Sequence, residues 1–216
     1  MAADLAGLRI VVSAGPTYED IDPVRFIGNR SSGKMGFAVA ASAAKRGADV
    51  VLVAGPVSLA TPDGVRRIDV RSAAQMHDAV LAQLPADAYV AAAAVADFTP
   101  RNVAAGKIKK RDGEDGLTLE LVRTVDILAS TARPGLYRVG FAAEAGPRLD
   151  RARAKKAAKG IDLLVFNDIL AEGVGIGSDE NEITMLTAEG EVHVPRTSKA
   201  ACAHAVADQI EKGLAG

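Results

Sequence analysis

Residues 8–56, LRIVVSAGPTYEDIDPVRFIGNRSSGKMGFAVAASAAKRGADVVLVAGP, read as strand, long polar loop, helix and strand. The apolar run at 10–12 stops at Ser13-Ala14-Gly15-Pro16, and after the loop Ser31, Ser32 and Gly33 open an Ala-rich helix that ends at Arg46-Gly47. A second strand over 49–54 follows at once. Such a βαβ unit turns its strand ends and helix N-terminus to one side, where free N–H groups and the helix dipole favour an anion such as phosphate.

Known phosphate motifs fit this loop poorly. Residues 28–34 satisfy GxxxxGK, but Met35 stands where a P-loop needs Ser or Thr for magnesium, and the glycines arrive far from the strand. No GxGxxG follows the first strand, and the second ends Val53-Ala54-Gly55-Pro56 without an acid for a ribose hydroxyl. A plain helix cap is the competing reading, yet two Ser, Asn29, Arg30 and Lys34 offer more anion donors than a cap needs.

Working outward, 216 residues suit one α/β domain over 1–216, and the 49% hydrophobic fraction, rich in Ala and Val without Trp, suits helices packed closely on a parallel sheet. A net charge of −1 gives no bulk attraction to nucleic acid or an anionic membrane. Cys202, the sole cysteine, excludes an intrachain disulfide and sits among alanines as core filler. With neither a signal peptide nor an apolar run of transmembrane length, a cytoplasmic location is expected.

Further along, 65–70 reads as a strand, and Ser72 with Gln75 makes a capping box for a helix carrying Met76, Val80, Leu81 and Leu84. The apolar strand over 89–95 ends on Ala96-Asp97-Phe98, placing a carboxylate just beyond a strand's carboxyl end, where ligands bind in open α/β sheets. The polar stretch 99–116 contains Lys107-Ile108-Lys109-Lys110-Arg111, either a solvated charge run or a basic flap over polyphosphate. A half-exposed strand over 117–122 precedes Thr124, read as the cap of a short helix from Asp126. A buried strand over 137–141 leads to a basic helix with Lys155 and Lys159 on one face, then a strand over 161–166. The Gly-rich segment 173–179 is a loop; 181–187 and 191–194 pair as a hairpin, and Thr197 caps the final helix. His77, His193 and His204 lack the spacing of a metal centre, and no GxSxG or Tyr-x-x-x-Lys pair occurs.

Taken together, SAGPTYEDIDPVRFIGNRSSGKMG, AAVADF, KIKK, GFAAE and ND…GSDEN, running through nearly the whole chain, resemble bacterial phosphopantothenoylcysteine synthetase. The resemblance implies a Rossmann-like, doubly wound α/β fold: a mostly parallel sheet with helices on both faces, closed by a C-terminal β-hairpin plus helix. It implies CTP-dependent activation of 4′-phosphopantothenate to an acyl-cytidylate with magnesium, then amide formation with L-cysteine and release of CMP. Asn29 matches the asparagine that holds the intermediate, Lys107 the flap lysine that contacts CTP, with Lys109 and Lys110 as auxiliaries. Ala91, Ala92, Ala93, Asp97, Asp126, Ile127, Leu128, Phe141, Lys155 and Lys159 match CTP contacts, and Asp97 is the candidate metal ligand. Thr124-Val125 departs from the Asn-Pro often found before Asp-Ile. Arg25 is the candidate for substrate phosphate, across a homodimer, and a fused or separate flavin-dependent decarboxylase is the expected neighbour. A CTP-binding module without turnover, or a nucleotidyltransferase acting on another carboxylate, are the alternative functions.

Overall fold

The computed structural model describes residues 4–110, 115–144, 146, 149–168, 170 and 177–215. Arg111 and most of the Gly-rich segment singled out in the sequence lie outside the described residues. The elements run β1 Arg9–Ala14, β2 Tyr18–Asp20, β3 Phe26–Gly28, α1 Lys34–Lys45, β4 Asp49–Ala54, β5 Val65–Asp69, α2 Ala73–Leu81, β6 Ala88–Ala91 and β7 Phe98–Pro100. They continue with β8 Leu121–Arg123, α3 Ile127–Ser130, β9 Tyr137–Glu144, α4 Leu149–Lys159, β10 Leu163–Asp168, β11 Glu180–Leu186, β12 Glu191–Ser198 and α5 Lys199–Ala215.

The main sheet has the order β12-β11-β10-β9-β6-β1-β4-β5. Pairs from β10 through β9, β6, β1 and β4 to β5 are parallel, while β11 runs antiparallel to both β10 and β12. The chain moves outward from β1 to β4 and β5, then returns through α2 to β6 on the other side of β1. That reversal opens a crevice between β1 and β6 at their carboxyl ends, the place where doubly wound sheets bind ligands.

Strand alternation divides the core. Ile10, Val12, Ala14, Val50, Leu52 and Val139 face α1 and α5, whereas Val11, Val53, Leu164 and Phe166 pack with Met76 and Val80 of α2, Ile127 and Leu128 of α3 and Ala152 of α4. Every one of these side chains is buried, as expected where helices cover both faces of a parallel sheet. Cys202 lies in the first of these layers with its thiol pushed up by burial, a filler rather than a nucleophile. His204 Nδ1 meets Ser42 Oγ at 3.0 Å, tying α5 to α1.

Several local expectations need correction. The long loop after β1 contains the β2–β3 hairpin, pinned by stacking of Tyr18 on Phe26 with centroids 3.9 Å apart. Regular pairing of the expected 89–95 strand stops at Ala91, although Ala94 still bridges Pro16. The apolar run misleads there because the chain past Ala91 lines a cleft instead of entering the sheet. The stretch after Asp97 begins with β7, which pairs with β8, so strand structure in the 117–122 region is confined to Leu121–Arg123. Asp126, not Thr124, caps α3 by accepting from Ala129 N; Thr124 Oγ1 instead donates to Ala96 O at 2.6 Å. For α5, Ala201 N donates to Ser198 Oγ, since Thr197 still belongs to β12.

α1 lies unusually close to β1. A Cβ on Gly36 would sit 2.5 Å from Ala14 Cβ and 3.2 Å from Ala92 Cβ. Gly36→Ala is therefore expected to cost about 1–3 kcal/mol through overpacking, measured by urea denaturation. Gly106→Ala, where a Cβ meets nothing within 4 Å, should leave the midpoint unchanged; equal effects would mean that the close approach does not hold α1 in place.

Candidate nucleotide site

The crevice widens into one cleft of about 980 Å³, at the upper end for small-molecule sites. Its walls come from segments far apart in sequence: residues 29–36, the extension of β6, the turn from β8 into α3, the end of β9, one face of α4, and the chain around Gly177, Asn181 and Lys199. Asn29, Ala91, Ala92, Ala93, Asp97, Asp126, Ile127, Leu128, Phe141, Lys155 and Lys159 all line it. Lys107, Lys109 and Arg25 do not.

At one wall α1 begins after Gly33, whose φ of 75° is left-handed; no side chain caps the helix and its first turn carries no acid. An N-terminus left without carboxylate is suited to an anionic ligand. Asn29 spans the mouth, its Nδ2 donating to Ala94 O and Val95 O, both at 3.1 Å. Both partners are carbonyls, so the NH₂ must face them and the side-chain oxygen is the group left for a ligand. The β6 extension is held by the stretch that follows β1: Ala94 N donates to Gly15 O, and Ala96 N donates to Thr17 Oγ1 at 2.9 Å.

The opposite wall carries a charge arrangement. Asp126 Oδ1 accepts from Ala129 N, and its Oδ2 pairs with Lys159 Nζ at 2.8 Å. Burial pushes its carboxyl up, but Lys159, the Ala129 amide and Lys155 outweigh this, leaving it below the ordinary carboxylate range. Asp97 is exposed, and its carboxylate has no hydrogen-bond or ion-pair partner among the described residues. Val125 lines the cleft despite its departure from the family pattern.

Sequence reasoning missed three features of this cleft. On its floor Ser13 Oγ and Tyr89 Oη lie 2.9 Å apart, both buried, with the phenol pushed up by burial. Lys34 Nζ donates to Gly177 O at 2.8 Å and pairs with Asp179 Oδ1 at 2.6 Å, while Lys199 Nζ donates to Ser178 O. Burial, together with Lys34 nearby, pushes the Lys199 ammonium down. These lysines stand at the N-termini of α1 and α5, a juxtaposition made by tertiary packing and invisible in either local segment.

Fold and cleft together define an open α/β protein with a cation-lined cleft of nucleotide size at its strand ends. The model of the DNA/pantothenate metabolism flavoprotein C-terminal domain matches residues 5–214, and the chain belongs to that family. Over 216 residues it is 48% identical to the Vibrio cholerae coenzyme A biosynthesis bifunctional protein CoaBC, covering 97% of this chain and 54% of that one. The Bacillus subtilis protein of the same name is 50% identical over 193 residues, covering 88% of this chain and 47% of that one. The chain thus spans about half the length of the curated relatives it matches. Its fold is similar to the crystal structure of the C-terminal domain of a coenzyme A biosynthesis bifunctional protein CoaBC, with TM-score 0.84, 36% identity and 99% of each chain covered. Among the described residues no helix is long and apolar enough to cross a membrane.

The Asp126–Lys159 pair gives a test of the charge arrangement. Lys159→Met should raise the Asp126 titration midpoint in carbon-detected NMR, because the main group holding the carboxylate ionised is gone. The pair's contribution is present above the ordinary carboxylate pKa and is lost as pH falls through the lowered folded value. Both partners are partly exposed, so the cost to fold stability should stay below about 1 kcal/mol; an unmoved midpoint would mean the pair does not form in solution.

Proposed function

We propose that this chain is a phosphopantothenate–cysteine ligase: residues 1–216 form a phosphopantothenoylcysteine synthetase domain of coenzyme A biosynthesis, acting in the cytoplasm with CTP and Mg²⁺. The observation carrying this reading is convergence. Residues that the family resemblance assigns to the nucleotide, drawn from β6, α3, β9 and α4, meet in one cleft with Asn29 and the uncapped start of α1.

In this reading the carboxylate of 4′-phosphopantothenate attacks the α-phosphorus of CTP, forming the acyl–phosphate bond as pyrophosphate leaves with its electron pair. The cysteine amine then attacks the acyl carbon, the acyl–oxygen bond breaks, CMP departs and the amine proton is lost. The residues act by holding and orienting. Ala91, Ala92 and Ala93 offer backbone groups to the nucleotide, Lys155 and Lys159 hold it at the α4 wall, and the α1 N-terminus receives phosphate. Asn29 offers its side-chain oxygen to the acyl-cytidylate. Lys107 and Lys109, exposed and outside the cleft lining, extend their long side chains from the flap toward the polyphosphate.

No group of three metal-binding side chains occurs among the described residues. Asp97, exposed at the cleft, would be the protein ligand of a Mg²⁺ ion bound together with the polyphosphate. When bound, the ion would neutralise charge on the polyphosphate.

Exposed Val24 and Phe26 of the β2–β3 hairpin, Phe98 of β7, Val103 and Leu121 of β8 support homodimer formation through this face, because scattered apolar exposure rarely includes several large side chains on neighbouring hairpins. Arg25 sits in the same hairpin, outside this chain's own cleft, and in the dimer it would meet substrate phosphate held by the partner. A flavin-dependent decarboxylase, fused or separate, is the proposed supplier of the neighbouring step.

Three variants test the reading. In single-turnover assays Asn29→Ala should keep part of the CTP-dependent pyrophosphate release while blocking the amide product; equal loss of both steps would remove its assignment. Phe26→Asp should shift the chain from dimer to monomer in sedimentation, and an unchanged mass would place the interface elsewhere. Lys107→Gln should weaken CTP handling on the order of 10- to 100-fold, whereas wild-type kinetics would reduce the flap to a solvated run.

A further inference from the structure

Beside the cleft, one carboxylate gathers an unusual set of donors. Asp22 has a fully buried side chain in the turn between β2 and β3. Its Oδ1 accepts from Val24 N and Arg25 N, both at 2.9 Å. Its Oδ2 accepts from Arg25 Nε at 3.1 Å, Arg25 Nη2 at 2.5 Å and Ile108 N at 3.1 Å. Ile108 is gripped a second time, because its carbonyl accepts from Arg25 Nη2 at 2.9 Å. Nearby, Ala104 N donates to Ile21 O at 3.0 Å. One residue of the basic flap, Ile108, is therefore bonded through both its N–H and its C=O, while Lys107 and Lys109 on either side of it are exposed.

We propose that Asp22 is a positioning residue: it anchors the flap root at Ile108 to the Arg25 hairpin, and so fixes the backbone from which Lys107 reaches the nucleotide. This rests on the reading of Lys107 as a CTP-contacting residue. The carboxylate suits the task because it must accept five donors at once, which only the ionised form can do, and the Arg25 guanidinium and surrounding amides hold its carboxyl far below the usual range. An amide in its place would turn NH₂ hydrogens either toward Ile108 N–H and the guanidinium or toward the Val24 and Arg25 backbone N–H groups. The root of the flap would then lose its fixed position while the sheet and the cleft walls stayed as they are. Arg25 is drawn into the same arrangement, so the candidate phosphate-binding arginine and the candidate nucleotide lysine are set relative to one another through one buried charge.

The test is a double-mutant cycle on the whole chain with Asp22→Asn, Lys107→Gln and the pair. Expected results are a drop on the order of 10- to 100-fold in the CTP-dependent step for Asp22→Asn, faster hydrogen exchange at the Ile108 amide, an unchanged KM for cysteine, and a double variant no slower than Lys107→Gln alone. Losses that multiply in the double variant, or wild-type turnover in Asp22→Asn beside an impaired Lys107→Gln, would overturn the role given to Asp22. Wild-type kinetics in Lys107→Gln would instead overturn the flap reading beneath it. If Asp22→Asn does not fold, Ile108→Pro, which removes the amide donor and leaves the carboxylate, should give the same loss and the same lack of additivity, and normal turnover in it would count against the anchor.

Discussion

The close contact of α1 with the end of β1 is the constraint on which the rest depends. No side chain fits between Gly36 and Ala14, so the helix start sits directly over the crevice that the return from β5 to β6 opens. From there the other walls have fixed distances to span. Asn29 ties the loop before α1 to the β6 extension, Thr17 and Thr124 hold that extension from opposite sides, and Lys34 reaches across to Asp179. Larger residues at Gly36 would lift the helix and loosen all of these together.

Two of the lysines lining the cleft have carboxylate partners before any ligand arrives. Lys159 rests on Asp126, and Lys34 on Asp179. This ordering costs little in exposed pairs and leaves each lysine near the place where a phosphate would compete for it. The helix start has no such internal partner, and Asp97 has none among the described residues. A chain with a net charge of −1 can therefore present a locally cationic pocket without becoming a general polyanion binder.

Much of this was legible in the sequence, and for physical reasons. Continuous apolar runs such as 10–12 and 49–54 announce strands buried on both faces, and Ser72 with Gln75 announces a helix start, because both signals are local. Among the wall residues, Asp97 is legible from its place at a strand's end and Lys155 with Lys159 as one helix face; the ligand roles of the rest come from family resemblance. What escaped was made by contacts across long separations. The two small hairpins have only three residues per strand and depend on Tyr18 stacking on Phe26 and on pairing between Phe98 and Arg123. Ser13 with Tyr89, and Lys34 with Lys199, meet only once the sheet is assembled. Capping of α3 was misread by two residues because Thr124 and Asp126 are both good caps, and Thr124 is taken up by the Ala96 carbonyl.

A crystal structure of the chain soaked with CTP and 4′-phosphopantothenate would test the central claim most directly. The account predicts nucleotide density bounded by Ala91, Asp126 and Lys159, with phosphate against the start of α1. Nucleotide found instead in the separate groove between α4 and the β11–β12 hairpin, near Arg153 and Lys156, would contradict it.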